Sequence, residues 1–314
     1  MDSLPIRGLV AAPHTPFDLQ GRLNLAIVEG QAQALKDGGV NGVFVGGSTG
    51  ESSSLTFDER DALAARWIEA AKPLGLRVVV HVGGTQVEAG AELARRAQAA
   101  GADAIAALAP YYYKPRDVHE LVACFAHMAQ GAPDTPIYYY DIPALTGVDL
   151  PVLDFVEEAR RLVPSFVGVK YTSSDLMGLQ EILARGDLDV LFGNDEALLA
   201  GLSFGARGAV GSTYNLAPGV YLRLAKAFRD GDLDQARFEQ RRSVQLVRTL
   251  VGFGFVSAAK ATMAEIGVDV GPPRLPWLPL GEDERARLRA ALVEIGFFDW
   301  RSAPELAAEG GEMW

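Results

Sequence analysis

Eight times along this chain a short apolar or β-branched run is followed by a longer helical pattern, and that alternation restricts the fold more than any other feature. Such alternation implies parallel strands joined by crossover helices. The candidate strands are GLVAAPHTPF (8–17), GVFVGG (42–47), RVVVHVG (77–83), AIAALAP (104–110), PIYYYDIP (136–143), FVGVKYT (166–172), DVLFGND (189–195) and GAVGSTYN (208–215). Between them, TFDERDALAARWIEAAK carries Thr56 and Glu59 at capping-box spacing. QVEAGAELARRAQAAG ends on Gly101, a predicted C-cap. Eight units in about 220 residues match a closed barrel, whereas a doubly wound sheet usually has fewer strands and a GxGxxG after the first. That fingerprint is absent. The expectation is an α/β protein, a (β/α)8 TIM barrel over residues 1–230.

Helical patterns continue from there, among them LDQARFEQRRSVQLVRTLVG and EDERARLRAALVEIG. No Gly/Ser/Pro-rich linker precedes them, so residues 231–298 are expected as a C-terminal helical extension packed on the barrel. Residues 299–314, with APELAAEGGEMW, are expected to be a flexible tail.

A chain of 314 residues, 49% hydrophobic and 22% charged, can bury a large core. Its net charge of −11 argues against general affinity for nucleic acid or anionic lipid, and an anionic substrate would need local help. No run approaches the roughly 18 apolar residues of a membrane span. MDSLPIRGLV lacks the layout of a signal peptide, so the cytoplasm is the expected compartment. Cys124, the single cysteine, lies in an apolar helical pattern and is expected as a packed core thiol. His14, His81, His119 and His127 form no HExxH pattern and have no cysteine partner, so no metal site is expected and solvated or core roles fit better.

In a barrel, chemistry sits where strands end and βα loops begin. Strand two runs into GGSTGE, where Ser48 and Thr49 lie among glycines in a loop able to wrap a carboxylate or simply to turn and cap a helix. Strand six ends with Lys170 and Thr172. A buried lysine loses its ammonium form and becomes a nucleophile toward carbonyls, but on position alone an ion pair with Asp195 fits as well. Strand five brings Tyr140 to the same mouth as a proton shuttle, and alternation turns Tyr139 outward into packing. Tyr111, Tyr112 and Tyr113 follow strand four, where interface packing is an equal alternative. Strands seven and eight add Gly193, Asp195, Glu196 and Ser212, groups suited to a substrate with several hydroxyls, although the two acids could instead cap the following helix.

Taken together, GGSTGE, YDIPA, GVKYT, GNDE and GSTYN closely resemble the dihydrodipicolinate synthase and N-acetylneuraminate lyase superfamily, over about residues 6 to 276. That resemblance implies a pyruvate-dependent class I aldolase: a Schiff base on Lys170, Ser48 and Thr49 on the pyruvyl carboxylate, Tyr140 transferring protons, and no metal or organic cofactor. It also implies a homotetramer in which Tyr112 reaches a neighbour's site. Three features are similar to the N-acetylneuraminate lyase branch. Ala144 and Leu145 follow Pro143 where the synthases carry an arginine, GNDE resembles a G-x-D-E pattern whose acids contact the sugar tail, and GPPRLP stands at 271–276. Asp141, where the family usually has asparagine, and Asn194, where the residue is often aromatic or apolar, depart from it. The expected activity is cleavage of N-acetylneuraminate to pyruvate and N-acetylmannosamine. A 2-keto-3-deoxysugar-acid aldolase or dehydratase, a dihydrodipicolinate synthase-like enzyme, and a non-catalytic sugar-acid-binding barrel are the alternatives.

Overall fold

The computed structural model describes residues 5–307 and Trp314. Eight strands close into one parallel barrel in sequence order: β1 (Gly8–Ala11), β2 (Gly42–Val45), β3 (Arg77–His81), β4 (Ala104–Leu108), β5 (Ile137–Asp141), β6 (Phe166–Tyr171), β7 (Asp189–Phe192) and β8 (Gly208–Gly211), with β8 pairing back to β1. Each strand is shorter at its C-terminal end than the run that predicts it. The chain turns from sheet to loop there while its side chains stay buried: Ala12 to Phe17 are all buried beyond the last residue of β1. Burial without pairing reads as strand in a sequence.

Helices α1 (Val28–Asp37), α2 (Phe57–Ala71), α3 (Val87–Ala100) and α4 (Val118–Gln130) follow the first four strands. A single turn α5 (Pro143–Thr146), then α6 (Val152–Leu162), α7 (Leu176–Ala184), α8 (Leu198–Ser203) and α9 (Pro218–Arg229) complete the ring. Thr56 and Glu59 form both halves of a capping box on α2, and Gly101 ends α3 at φ 89°. The larger core lies between strands and helices, where Tyr139 packs on Phe125 and Phe155. The smaller fills the barrel with Val10, Phe44, Val79, Ala106, Tyr138, Tyr140, Leu191 and Val210.

Beyond the ring come α10 (Leu233–Gly252), α11 (Phe255–Glu265), α12 (Glu282–Glu294), α13 (Phe297–Trp300) and α14 (Pro304–Ala307). The segment from 299 to 307 departs from the flexible tail expected of it: Trp300, Ala303 and Leu306 are buried, and α14 packs on α9. Their apolar side chains are too few and too irregularly spaced to read as a helix, yet they close a gap beside α9. The remainder of that predicted tail, 308–313, lies outside the described residues. Cys124 is half-buried, not the core thiol expected. Among the described residues no single helix is long and apolar enough to cross a membrane.

Candidate active site

Register decides which side chains share the mouth of the barrel. Leu108 pairs with Tyr140, Tyr140 with Lys170 and Lys170 with Leu191, so lysine and tyrosine stand side by side at one level, both turned inward by the two-residue period of their strands. Gly168, one inward position below Lys170, has no room for a side chain: a β-carbon there would meet the Asp189 carbonyl oxygen at 1.8 Å.

Lys170 is 4% exposed, its Nζ 3.8 Å from the ring centroids of both Phe44 and Tyr140. Burial in this apolar cage lowers its pKa from 10.5 to about 7, against a smaller opposing pull from Asp195. The alternative ion pair with Asp195 does not form. One oxygen of that carboxylate accepts from the Thr213 amide at 2.8 Å and the Thr213 hydroxyl at 2.5 Å, and burial holds its pKa up at about 6. An amine neutral near pH 7 is therefore available inside the barrel.

The Tyr140 hydroxyl lies 3.4 Å from Ser48 Oγ, and burial pushes its pKa up to about 12, with Ser48 and Thr172 beside it pulling the other way. It stays protonated at neutral pH and can give or relay a proton. Thr49 Oγ1 is 2.6 Å from Ser212 Oγ, which joins the loops after β2 and β8. Gly193 is small because Thr172 fills its side: a β-carbon would stand 2.0 Å from Thr172 Oγ1. Thus Ser48, Thr49, Tyr140, Lys170, Thr172, Gly193 and Ser212 come together.

The acid pair is split, although the Asp195 carboxylate still acts electrostatically on Lys170 and Tyr140. Asp195 is buried against Thr213, whereas Glu196 is exposed on the rim of a cavity of about 660 Å³ lined also by Asp149, Thr172, Ser173 and Asn194. Of the two acids expected at the sugar tail, Glu196 lines this cavity while the Asp195 carboxylate is taken up by Thr213, since successive residues of the short 3-10 turn Asp195–Ala197 point to different sides. Tyr112 is 74% exposed and stacks edge-on against Tyr113. Its neighbour Tyr111 bonds Ser53 at 2.9 Å and lines a second cavity of about 250 Å³ with Ser48, Arg60, His81 and Trp277.

Two site residues escape the sequence reading. Phe44 and His81 both project inward, and His81 Nδ1 donates to the Gly46 carbonyl at 2.8 Å; a carbonyl only accepts, so Nδ1 carries the proton. Burial, then Arg60 and Lys170, hold its pKa well below 6.5, and it stays neutral. Two-residue alternation from Val79 places His81 inside, a signal present in the sequence at the end of strand three. The C-terminal extension supports the site too: Ser243 and Gln240 of α10 donate to the Asp195 carbonyl at 3.0 and 3.2 Å.

The sequence and the fold have known counterparts. Residues 5–295 match the model of the dihydrodipicolinate synthetase family. The chain is 40% identical over 280 residues to N-acetylneuraminate lyase of Danio rerio, covering 87% of this chain and 91% of that one. To the Gallus gallus protein of the same name it is 38% identical over 296 residues, covering 92% and 96%. The solved Proteus mirabilis N-acetylneuraminate lyase superposes with a TM-score of 0.90 at 35% identity, covering 93% of this chain and 99% of that one. By family match, sequence and barrel alike, the chain belongs to the dihydrodipicolinate synthetase family.

Proposed function

We propose that this protein is a carbon–carbon lyase, a class I aldolase that cleaves N-acetylneuraminate to pyruvate and N-acetylmannosamine through a Schiff base on Lys170. The observation that carries the chemistry is the buried, unpaired Lys170 amine with its pKa near 7 beside a protonated Tyr140. The substrate is supported by relatives of that name along nearly the whole chain.

The neutral Lys170 amine adds to C2 of the open-chain 2-oxo acid and water leaves, giving an iminium that draws electrons from C3. Tyr140, protonated, relays the C4 hydroxyl proton by passing its own proton to the substrate carboxylate as it takes up that of the C4 hydroxyl, while the C3–C4 pair moves into an enamine and the aldehyde departs. Protonation at C3 and hydrolysis return pyruvate and free Lys170. Ser48 and Thr49 hold the carboxylate, so orientation and charge stabilisation come from the loop after β2. Glu196, Asn194 and Thr172 meet the hydroxylated tail from the larger cavity. The chain's own side chains supply each step without a metal or organic cofactor. Four copies form a homotetramer in the cytoplasm, and Tyr112, exposed in one protomer, reaches the site of the next.

Borohydride reduction in the presence of pyruvate, followed by peptide mapping, should place the adduct on Lys170, and an adduct elsewhere would refute the central step. Tyr140→Phe should still trap pyruvate yet lose about 10²–10⁴-fold in cleavage rate. Pyruvate release across a panel of 2-oxo sugar acids tests the substrate: release from a deoxygluconate and none from N-acetylneuraminate would reassign it.

A further inference from the structure

Glu51 ends the GGSTGE loop, and among the described residues it is the one non-glycine with a left-handed backbone, at φ 57°. A residue with a β-carbon holds that conformation only where its surroundings over-determine it. Those surroundings come from the far end of the chain. The Glu51 carboxylate is buried, with Oε1 2.7 Å from Lys260 Nζ of α11 and Oε2 accepting the Arg274 amide at 2.8 Å. Lys260 is 2% exposed; its Nζ also donates to the Pro272 carbonyl at 3.0 Å and lies 4.4 Å from the Phe17 ring centroid.

A buried ion pair is a costly way to join two elements, since well-packed apolar side chains serve packing alone as well or better. What it adds is direction. With its carboxylate held there, Glu51 donates its amide back to the Ser48 carbonyl at 3.0 Å, which closes the turn that carries Ser48 and Thr49. Thr15 braces the same turn by donating to the Gly50 carbonyl at 2.6 Å.

We propose that Lys260 is a positioning residue for the carboxylate of the 2-oxo acid: through Glu51 it locks residues 48–51 in the turn that presents Ser48 and Thr49 to that carboxylate. The proposal rests on the Schiff-base reading of Lys170. It makes the C-terminal extension part of substrate recognition, and Lys260 never touches the substrate.

The test is borohydride trapping titrated with two carbonyl compounds: pyruvate, and acetaldehyde, which offers Lys170 a carbonyl and no carboxylate. Lys260→Met and the double variant Glu51→Gln with Lys260→Met should raise the half-saturating pyruvate concentration about 10-fold or more while that for acetaldehyde changes less than about 2-fold. Lys260→Arg, which keeps the charge, should return the pyruvate value toward that of the unmodified protein. The double variant leaves no unpaired buried charge, so it provides a folded protein should the single variant fail to fold, with circular dichroism as the check. Equal shifts for both compounds, or no shift for either, would overturn the clamp and leave the Schiff base standing. An unmodified protein that traps no pyruvate overturns the Schiff-base reading, and the clamp falls with it.

Discussion

Lys170 sits in a cage of aromatic faces, and the cage sets the pH at which it can react. Because its folded pKa is lowered to about 7, the neutral amine grows as pH rises through 7 and is complete well below the ordinary 10.5. The rate of pyruvate trapping should accordingly climb from pH 5.5 and level off above about 8; single-turnover measurements still climbing tenfold per unit at pH 9 would contradict the cage. Asp141 shifts the other way, up to about 7, by burial first and then by Asp149 and Asp175. With the folded pKa raised, the unfolded chain ionises first as pH rises from about 4, so stability falls between about 4 and 7 and is level beyond. Asp141→Asn, which restores the residue usual in the family, should gain about 1–3 kcal/mol at pH 8 and little at pH 4, read by urea denaturation.

At the scale of elements, strand β6 illustrates how a position can matter through what it lacks. Gly168 faces the Asp189 carbonyl so closely that a methyl group would have to displace the backbone of β7. Asp189 also accepts from Tyr138 Oη at 2.5 Å and the Ile6 amide at 2.7 Å, so it has little freedom to move. Gly168→Ala is expected to cost more than about 3 kcal/mol and to yield insoluble or low-melting protein, checked by expression level and thermal unfolding. Helix α2 shows the reverse economy, with one residue serving two roles. Glu59 caps the helix start at Thr56 and also forks onto the Arg274 guanidinium, whose hydrogen bonds hold its pKa down to about 2. The cap was legible from spacing, whereas the Arg274 contact spans 215 residues of sequence and no local pattern announces it.

At the scale of the whole molecule, Tyr112, Tyr113, Leu145, Leu275 and Leu278 are large apolar side chains between 65% and 85% exposed. Sedimentation velocity should find a tetramer, and Leu275→Lys with Leu278→Lys should shift it toward smaller species. A monomer in the unmodified protein would count against the Tyr112 assignment. The sequence by itself determined the repeating βα order, hence the barrel, and the inward parity of Tyr140 and Lys170, because periodicity and turn chemistry are local, while the strand ends fell short of the apolar runs. It left open whether Lys170 pairs with Asp195, which way Asp195 and Glu196 face, and that Glu51 meets Lys260. Those were decided only by the closed barrel, because the burial that lowers a pKa and the distance that makes an ion pair depend on strands and helices brought together from far apart in the chain.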